Sequence, residues 1–198
     1  MPYLGLTGNF GTGKSTILSL FNELGAVTIS ADMLVADILQ RQDIIEAVAA
    51  LLGSDVITEH RTLDKAMVAS IIFDEPDKRK RVEAIIHPVV FEEAEQIRFK
   101  AKKRNAVIVF EVPLLFEGQY ESHFDKTILV YCNAETAIRR LCAKGFSKEE
   151  SLRRISAQMP IEEKLKKADY IIDNSLSYDN TKRQARELFA VINCMNCD

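Results

Sequence analysis

The residues best suited to chemistry lie near the amino terminus, in the run Gly8-Asn9-Phe10-Gly11-Thr12-Gly13-Lys14-Ser15. This run matches the pattern G-x-x-x-x-G-K-[ST], which is typical of loops that bind a nucleoside triphosphate. Glycines let the backbone wrap closely around phosphate, and successive N–H groups form an anion-binding nest. We expect Lys14 to contact the β and γ phosphates and the Ser15 hydroxyl to bind Mg²⁺, a hard cation that prefers oxygen ligands.

The elements around this loop have the order that such a site needs. Tyr3–Thr7 is short and apolar, as a buried strand is, and apolar residues then recur at helical spacing up to Gly25. A second strand is predicted over Ala26–Ser30, which completes a βαβ unit and implies a parallel sheet. The helix that starts near Lys14 directs the positive end of its dipole at the phosphates, and Thr16 adds a hydroxyl near the α-phosphate.

Two carboxylates are predicted at the ends of neighbouring strands, where an open α/β sheet binds its ligands. Glu111 follows a predicted strand over Ala106–Phe110 and is placed to reach a metal-bound water or the phosphates; a solvated strand-end charge is the alternative. Asp32 comes two residues after the second strand. It is placed to act as a general base near an acceptor hydroxyl, or to cap a helix.

Composition excludes several classes of protein. The chain has 198 residues, 47% of them hydrophobic and 28% charged, which is ordinary for one globular domain. The net charge of −3 gives no basic field for nucleic acid or a membrane surface, and no apolar run approaches the roughly 20 residues of a membrane span. Four cysteines do not make a disulfide framework, so we expect a cytoplasmic protein. Cys194 and Cys197 have the spacing of a metal or redox pair, but a frayed terminus is the better interpretation.

The rest of the chain is predicted as one α/β core with helical additions. From Asp32 to about Arg104 the pattern is helical, with Asp43 and Asp64 as candidate caps and His87-Pro88 as a kink or break in a long helix after Pro76. Further strands are predicted at 127–131 and 170–172. Helices are predicted at 134–144, 147–158 and 178–192. The stretch around Gly145 is locally basic.

The loop alone does not separate kinases, ATPases and GTPases. A GTPase needs an Asn-Lys-x-Asp motif that reads the base, and this sequence has none. Two classes of hypothesis remain at this point: a kinase that phosphorylates a small nucleotide or another small hydroxyl acceptor, and a nucleotide-dependent switch or binding module. The switch would show slow hydrolysis with no stimulation by an acceptor.

Several longer runs together resemble the dephospho-coenzyme A kinase family from about residue 3 to about residue 190. They include Ile86-His87-Pro88, Val112-Pro113-Leu114-Leu115-Phe116-Glu117, Ala157-Gln158-Met159-Pro160 and Ile172-Asp173-Asn174-Ser175. The resemblance implies a three-layer P-loop NTPase fold with a core over about 1–31, 105–137 and 168–198. It implies a helical substrate-binding insertion over about 32–104 and a helical lid over about 138–167.

The resemblance also implies the last step of coenzyme A synthesis, in which ATP phosphorylates the ribose 3′-hydroxyl of dephospho-coenzyme A. Its partners would then be these small molecules, with Mg²⁺, and neither nucleic acid nor membrane. Asp32 would accept the ribose proton, Arg140 would approach the transferring phosphate, and Asn174 would lie on the adenine side. His87 would belong to the substrate region, and Arg154 would belong to the lid. The residues implied to hold the ATP phosphates are Gly11, Thr12, Gly13, Lys14, Ser15 and Thr16. Ser30 and Glu111 stand where the family has aspartates.

Overall fold

The computed structural model describes residues 1–102 and 106–194. Within them, five parallel strands form one sheet in the order β2-β3-β1-β4-β5. The strands are β1 (Tyr3–Thr7), β2 (Val27–Ser30), β3 (Ile108–Glu111), β4 (Lys126–Tyr131) and β5 (Tyr170–Asp173). The helices are α1 (Lys14–Glu23), α2 (Ala31–Ile38), α3 (Gln42–Leu52), α4 (Lys65–Asp74), α5 (Pro76–Lys102), α6 (Ala134–Ala143), α7 (Lys148–Ser156), α8 (Ile161–Lys167) and α9 (Tyr178–Cys194). The predicted parallel sheet with helices around it is confirmed.

The central strand β1 is buried on both faces, as its apolar run predicts. Leu4 and Leu6 belong to one apolar cluster with Phe21 of α1 and Ala185 of α9. Gly5 points to the opposite face, where an added Cβ would come within 2.5 Å of the Leu115 side chain and 2.8 Å of the Phe124 ring. Gly5 is therefore required by space rather than by its backbone angles.

The chain divides into two compact units. One contains residues 1–30 and 100–198 and carries the sheet with the phosphate-binding loop, and the other is Ala31–Phe99. Asp64 caps α4 in the second unit, because its carboxylate accepts hydrogen bonds from Ala66 N and Met67 N at 3.0 Å. The substrate-binding role of this unit and the lid role of residues 138–167 stay predictions.

Of the predicted kink or break at His87-Pro88, the break is wrong and the kink stays a prediction. The helix α5 runs without interruption from Pro76 to Lys102 and contains Pro88. Val82, Ile86, Val90 and Ala94 are buried at a spacing of four residues along this helix. Burial of this apolar stripe outweighs the one backbone hydrogen bond that the proline removes.

Three other local predictions need correction. Arg41, not Asp43, is the residue before α3, and Asp43 lies in the first turn, where its carboxylate pairs with Arg41 at 2.8 Å. Asp32 also lies in a first turn rather than at the cap, because α2 begins at Ala31. Glu111 ends β3 instead of following it.

Helix α8 is absent from the sequence prediction, although its signals are present. Pro160 precedes it, Glu162 and Glu163 lie in its first turn, and lysines fill its last turn. No helix within the described ranges is long and apolar enough to cross a bilayer. Cys197 of the predicted cysteine pair and the predicted core boundary at residue 105 lie outside the described residues.

Candidate active site

The phosphate-binding loop connects β1 to α1 and has the backbone shape that its glycines allow. Gly11 and Gly13 have φ values of 85° and 91°, in the left-handed region that favours glycine. Gly13 also lacks room for a side chain, because an added Cβ would collide with the amide nitrogen of Asn174. Thr16 N and Ile17 N both donate to the Gly13 carbonyl, at 3.1 and 3.3 Å. The amino-terminal end of α1 is thus aimed at the loop, as an anion site requires.

The predicted lysine lies within the loop itself. Lys14 Nζ donates to the carbonyl oxygen of Gly8 at 2.9 Å and lies 3.5 Å from that of Asn9. These contacts place a positive charge inside the ring of loop atoms. An ammonium there, next to the amino terminus of α1, favours the binding of an anion.

Arg140 and Asn174 both contact the carbonyl oxygen of Thr12. Asn174 Nδ2 donates to it at 2.8 Å, and Arg140 Nη1 lies 3.4 Å from it. Arg140 Nη2 also donates to the Asn174 carbonyl at 2.8 Å, so the two residues support each other. Arg140 comes from the last turn of α6 and Asn174 follows β5 directly. The structure therefore brings two predicted site residues to the same loop as Lys14. Arg140 adds a second positive charge, and Asn174 adds a buried amide.

Asn174 has a more specific role than the sequence indicates. It is only 5% exposed, and its side-chain oxygen accepts a hydrogen bond from the Thr181 hydroxyl at 2.8 Å. Its amide nitrogen faces the loop backbone. In this structure Asn174 thus stabilises the backbone of the loop, and contact with an adenine stays a prediction.

Arg154 contacts the loop through aromatic rings. Its guanidinium carbon lies 5.3 Å from the centre of the Phe10 ring and 4.8 Å from that of Phe146. The same guanidinium pairs with Glu150 at 2.7 Å. Phe10 and Phe146 meet edge to face at 5.3 Å. Since Phe10 occupies a variable position of the loop motif, nothing in the motif itself pointed to this contact.

A buried thiol lies beside the loop. Cys132 Sγ is 3.9 Å from the Gly11 carbonyl oxygen. Burial raises the pKa of the Cys132 thiol, and the positive charge of Arg140 opposes this only in part. The sulfur is therefore a neutral packing group at neutral pH rather than a nucleophile.

Glu111 and Ser15 are the predicted Mg²⁺ ligands, and their chemistry fits that ion. Glu111 is 6% exposed and is aligned in the sheet with Leu6 of β1 and Ser30 of β2. Ser15 is exposed in the first turn of α1. Among the described residues no group of three His, Cys, Asp or Glu side chains forms a complete metal site. A hydroxyl with one carboxylate is what Mg²⁺ uses when substrate phosphates and water supply its other ligands.

Asp32 and His87 belong to the second compact unit. Asp32 is exposed in the first turn of α2, so its carboxylate is accessible to a proton donor. His87 is half-buried near the middle of α5. All the other predicted site residues lie in the first unit, whereas Asp32 and His87 are carried by Ala31–Phe99.

The comparison with known families decides among the classes of P-loop protein. The model of the family described as dephospho-CoA kinase matches residues 2–180. This chain belongs to the dephospho-CoA kinase family. A dephospho-CoA kinase of Aquifex aeolicus is 36% identical over 190 residues and covers 96% of both chains. Another family member, from Carboxydothermus hydrogenoformans, is 40% identical over 190 residues, or 93% of this chain and 91% of that one.

Solved structures agree with this family assignment. The protein TT1252 of Thermus thermophilus superposes with a TM-score of 0.84 at 32% identity, over 96% of each chain. The dephospho-CoA kinase of Campylobacter jejuni gives a TM-score of 0.75 at 27% identity, over 98% of each chain. The family likeness thus extends over the whole fold and is not confined to the phosphate-binding loop.

Proposed function

We propose that this protein transfers the γ-phosphoryl group of ATP to the ribose 3′-hydroxyl of dephospho-coenzyme A, giving coenzyme A and ADP. The observation that carries the proposal is membership of the dephospho-CoA kinase family over residues 2–180. The loop supports it, because Lys14 and Arg140 both contact carbonyl oxygens of the loop that precedes α1, and positive charge there suits a triphosphate.

The proposed reaction is one displacement at phosphorus. The ribose 3′-oxygen attacks the γ-phosphorus while the bond to the β-γ bridging oxygen breaks and ADP leaves. Asp32 accepts the proton of the attacking hydroxyl. Lys14 and Arg140 stabilise the charge on the phosphoryl oxygens, and the loop amides hold the β-phosphate in place. The positive groups matter most because phosphoryl transfer is catalysed mainly by positioning and electrostatic stabilisation.

We propose Ser15 and Glu111 as the residues that hold Mg²⁺. When bound, the ion offsets the negative charge of the β and γ phosphates. The Ser15 hydroxyl would supply one oxygen ligand, and the Glu111 carboxylate would bind the ion or orient a water from the end of β3. Glu111 stands where the family pattern has aspartate, and its side chain is one methylene longer, so its carboxylate would reach farther from the end of β3.

We assign the remaining predicted residues to substrate contacts. His87 would bind the acceptor from the second unit, Asn174 would lie near the adenine of ATP, and Arg154 would close over the site from α7. Thr12 and Thr16 would complete the phosphate contacts with Gly11 and Gly13.

The described cysteines Cys132, Cys142 and Cys194 are free thiols, which supports a reducing compartment such as the cytoplasm.

The test is release of ADP with and without dephospho-coenzyme A. We expect strong stimulation by this acceptor, and little by other nucleosides and nucleotides with a free 3′-hydroxyl. Equal stimulation by a different small acceptor would instead favour a kinase of other specificity. Slow ADP release that no acceptor stimulates would contradict the proposal.

Two variants test the assigned chemistry. Lys14→Ala should lower kcat/KM by about 100-fold or more, because it removes a preorganised positive charge from the transferring phosphoryl group. Asp32→Asn is close in shape but cannot accept a proton, so it should lower kcat far more than KM. If Asp32→Asn retains activity within a few fold, another group is the base. Circular dichroism on both variants separates these losses from unfolding.

A further inference from the structure

The first half of the phosphate-binding loop is held by a distant segment of the chain. Phe10 N–H donates to Gln158 Oε1 at 2.6 Å. Asn9 Nδ2 donates to the Met159 carbonyl oxygen at 3.2 Å. Both acceptors lie between α7 and α8, about 150 positions along the chain from the loop. The position of two loop residues therefore depends on where the 158–160 segment lies.

That segment is held in turn by Glu117. Met159 N–H donates to Glu117 Oε1 at 3.0 Å. Lys164 Nζ of α8 lies 2.8 Å from the same oxygen, as an ion pair. One carboxylate oxygen thus contacts the segment through the backbone N–H of its middle residue, Met159, and also contacts Lys164, four residues after its end.

The lysine end of this linkage is buried, whereas the Glu117 side chain is 21% exposed. The Lys164 side chain is 0% exposed. Burial lowers the pKa of Lys164, and the carboxylate of Glu117 offsets part of that effect. A buried ion pair contributes little net stability compared with apolar residues of the same size, but it allows fewer alternative arrangements. Such a pair suits a place where geometry matters more than stability.

The same region carries two buried acceptors whose hydrogen-bonding capacity is not filled by the described residues. They are Asn9 Oδ1 and Glu117 Oε2. An arrangement that only packed the lid against the core would not need polar atoms here. Their presence at the contact between the loop and the 158–160 segment points to a network selected for the position of its members.

We propose that Glu117 is a positioning residue for the phosphate-binding loop. It acts through Met159 and Lys164 on the 158–160 segment, which holds Asn9 and Phe10. The proposal rests on the function proposed above and adds the residue that sets the loop for ATP. Because loop amides contact the phosphates in both the ground state and the transition state, a displaced loop should weaken ATP binding more than it lowers kcat.

The test compares two double variants that both lack the buried charges. Glu117→Ala with Lys164→Met removes the acceptor for Met159 N–H, whereas Glu117→Gln with Lys164→Met retains an amide oxygen there. We expect the alanine pair to raise the KM and Kd for ATP about tenfold, a typical effect of losing an outer supporting group. The glutamine pair should stay within about threefold of the wild type, and the KM for dephospho-coenzyme A should change in neither.

A control and a second route keep the test decisive. Glu121→Ala with Lys167→Met removes a more exposed ion pair, 2.9 Å apart, between Glu121 and Lys167 of the same helix α8, and it should leave ATP binding unchanged. Gln158→Ala releases Phe10 without touching the buried pair, so it tests the proposal even if the alanine pair does not fold. Its effect on ATP affinity should not add to that of the alanine pair, because both act through one segment.

The proposal is wrong if the alanine pair and Gln158→Ala leave ATP affinity within twofold of the wild type. It is also wrong if the glutamine pair loses as much affinity as the alanine pair, since the charges rather than the Met159 contact would then matter. Direct measurement of the Kd for ATP by calorimetry needs no turnover. It therefore judges this proposal separately from the assay of dephospho-coenzyme A phosphorylation.

Discussion

Replacement of Asn174 by alanine tests whether the loop depends on a buried amide supplied by a distant strand. The substitution removes the 2.8 Å bond from Asn174 Nδ2 to the Thr12 carbonyl and the 2.8 Å bond from the Thr181 hydroxyl to Asn174 Oδ1. Neither partner is left without a contact. Arg140 Nη1 still lies 3.4 Å from the Thr12 oxygen, and the Thr181 hydroxyl still lies 3.2 Å from the Ser177 carbonyl.

The expected loss of stability follows from those two bonds. Each net hydrogen bond contributes about 1 kcal/mol, so Asn174→Ala should reduce the free energy of unfolding by about 2 kcal/mol. For a chain of this size that corresponds to a fall in Tm of about 4–8 °C. Because the Thr12 carbonyl would lose its shorter contact, the loop should also shift, and the KM for ATP should rise about threefold to tenfold.

Thr181→Val is the matched control. It removes the hydroxyl bond to Asn174 but leaves the amide on the Thr12 carbonyl. We expect it to cost about 1–2 kcal/mol of stability, since it leaves a buried oxygen without a partner, and to leave the KM for ATP unchanged. Thermal unfolding and steady-state kinetics measure both effects. The reasoning is refuted if Asn174→Ala lowers Tm by less than about 2 °C, or if Thr181→Val raises the KM for ATP equally.

Two further changes probe other contacts of the same unit. Burial opposes ionisation of Asp169, but hydrogen bonds from Lys126 and from Thr127 N–H and Oγ–H outweigh it and hold the pKa below the usual 3.8. The carboxylate therefore stabilises the fold above about pH 4 and loses this effect as pH falls through its lowered pKa. Asp169→Asn should lower the free energy of unfolding, measured with urea, by about 1–2 kcal/mol at pH 7 and by progressively less below pH 4. An equal decrease at pH 3 would contradict this reasoning. Arg154→Lys retains the charge but removes the guanidinium that lies over the Phe10 and Phe146 rings. A double-mutant cycle with Phe10→Leu should therefore give a coupling of about 0.5–1 kcal/mol, and a coupling near zero would exclude this contact as a stabilising one.

Local sequence rules predicted the parts of the molecule whose causes are local. The βαβ unit, the loop over Gly8–Ser15 and the Asp64 cap follow from apolar spacing, glycine conformations and a side chain that reaches its own helix. The same rules failed at Pro88, where a buried stripe on α5 overrides a local breaker. They also placed Asp43 at a cap, although it is the second residue of α3 and pairs with Arg41.

The residues around the loop show why the site was only partly predictable. Arg140 and Asn174 were identified from the family resemblance, but their shared contact with the Thr12 carbonyl is a tertiary feature. Arg140 is 128 residues from Thr12 along the chain, and Asn174 is 162 residues from it. Glu117 and Gln158 occur in recognisable runs, yet neither run says what its side chain touches. A motif reports which residue types occur together, whereas a contact depends on where the strands place them.

The amino-acid sequence alone determined that a triphosphate-binding loop lies between a strand and a helix, because φ angles and the helix dipole depend on neighbours within a few residues. It also determined the family, since the specific runs extend along nearly the whole chain. Only the tertiary structure decided that two donors meet on the Thr12 carbonyl and that Glu117 holds the segment bound to Phe10. The strand order β2-β3-β1-β4-β5 and the packing of α6 to α8 bring those distant groups together, and no local preference encodes that approach.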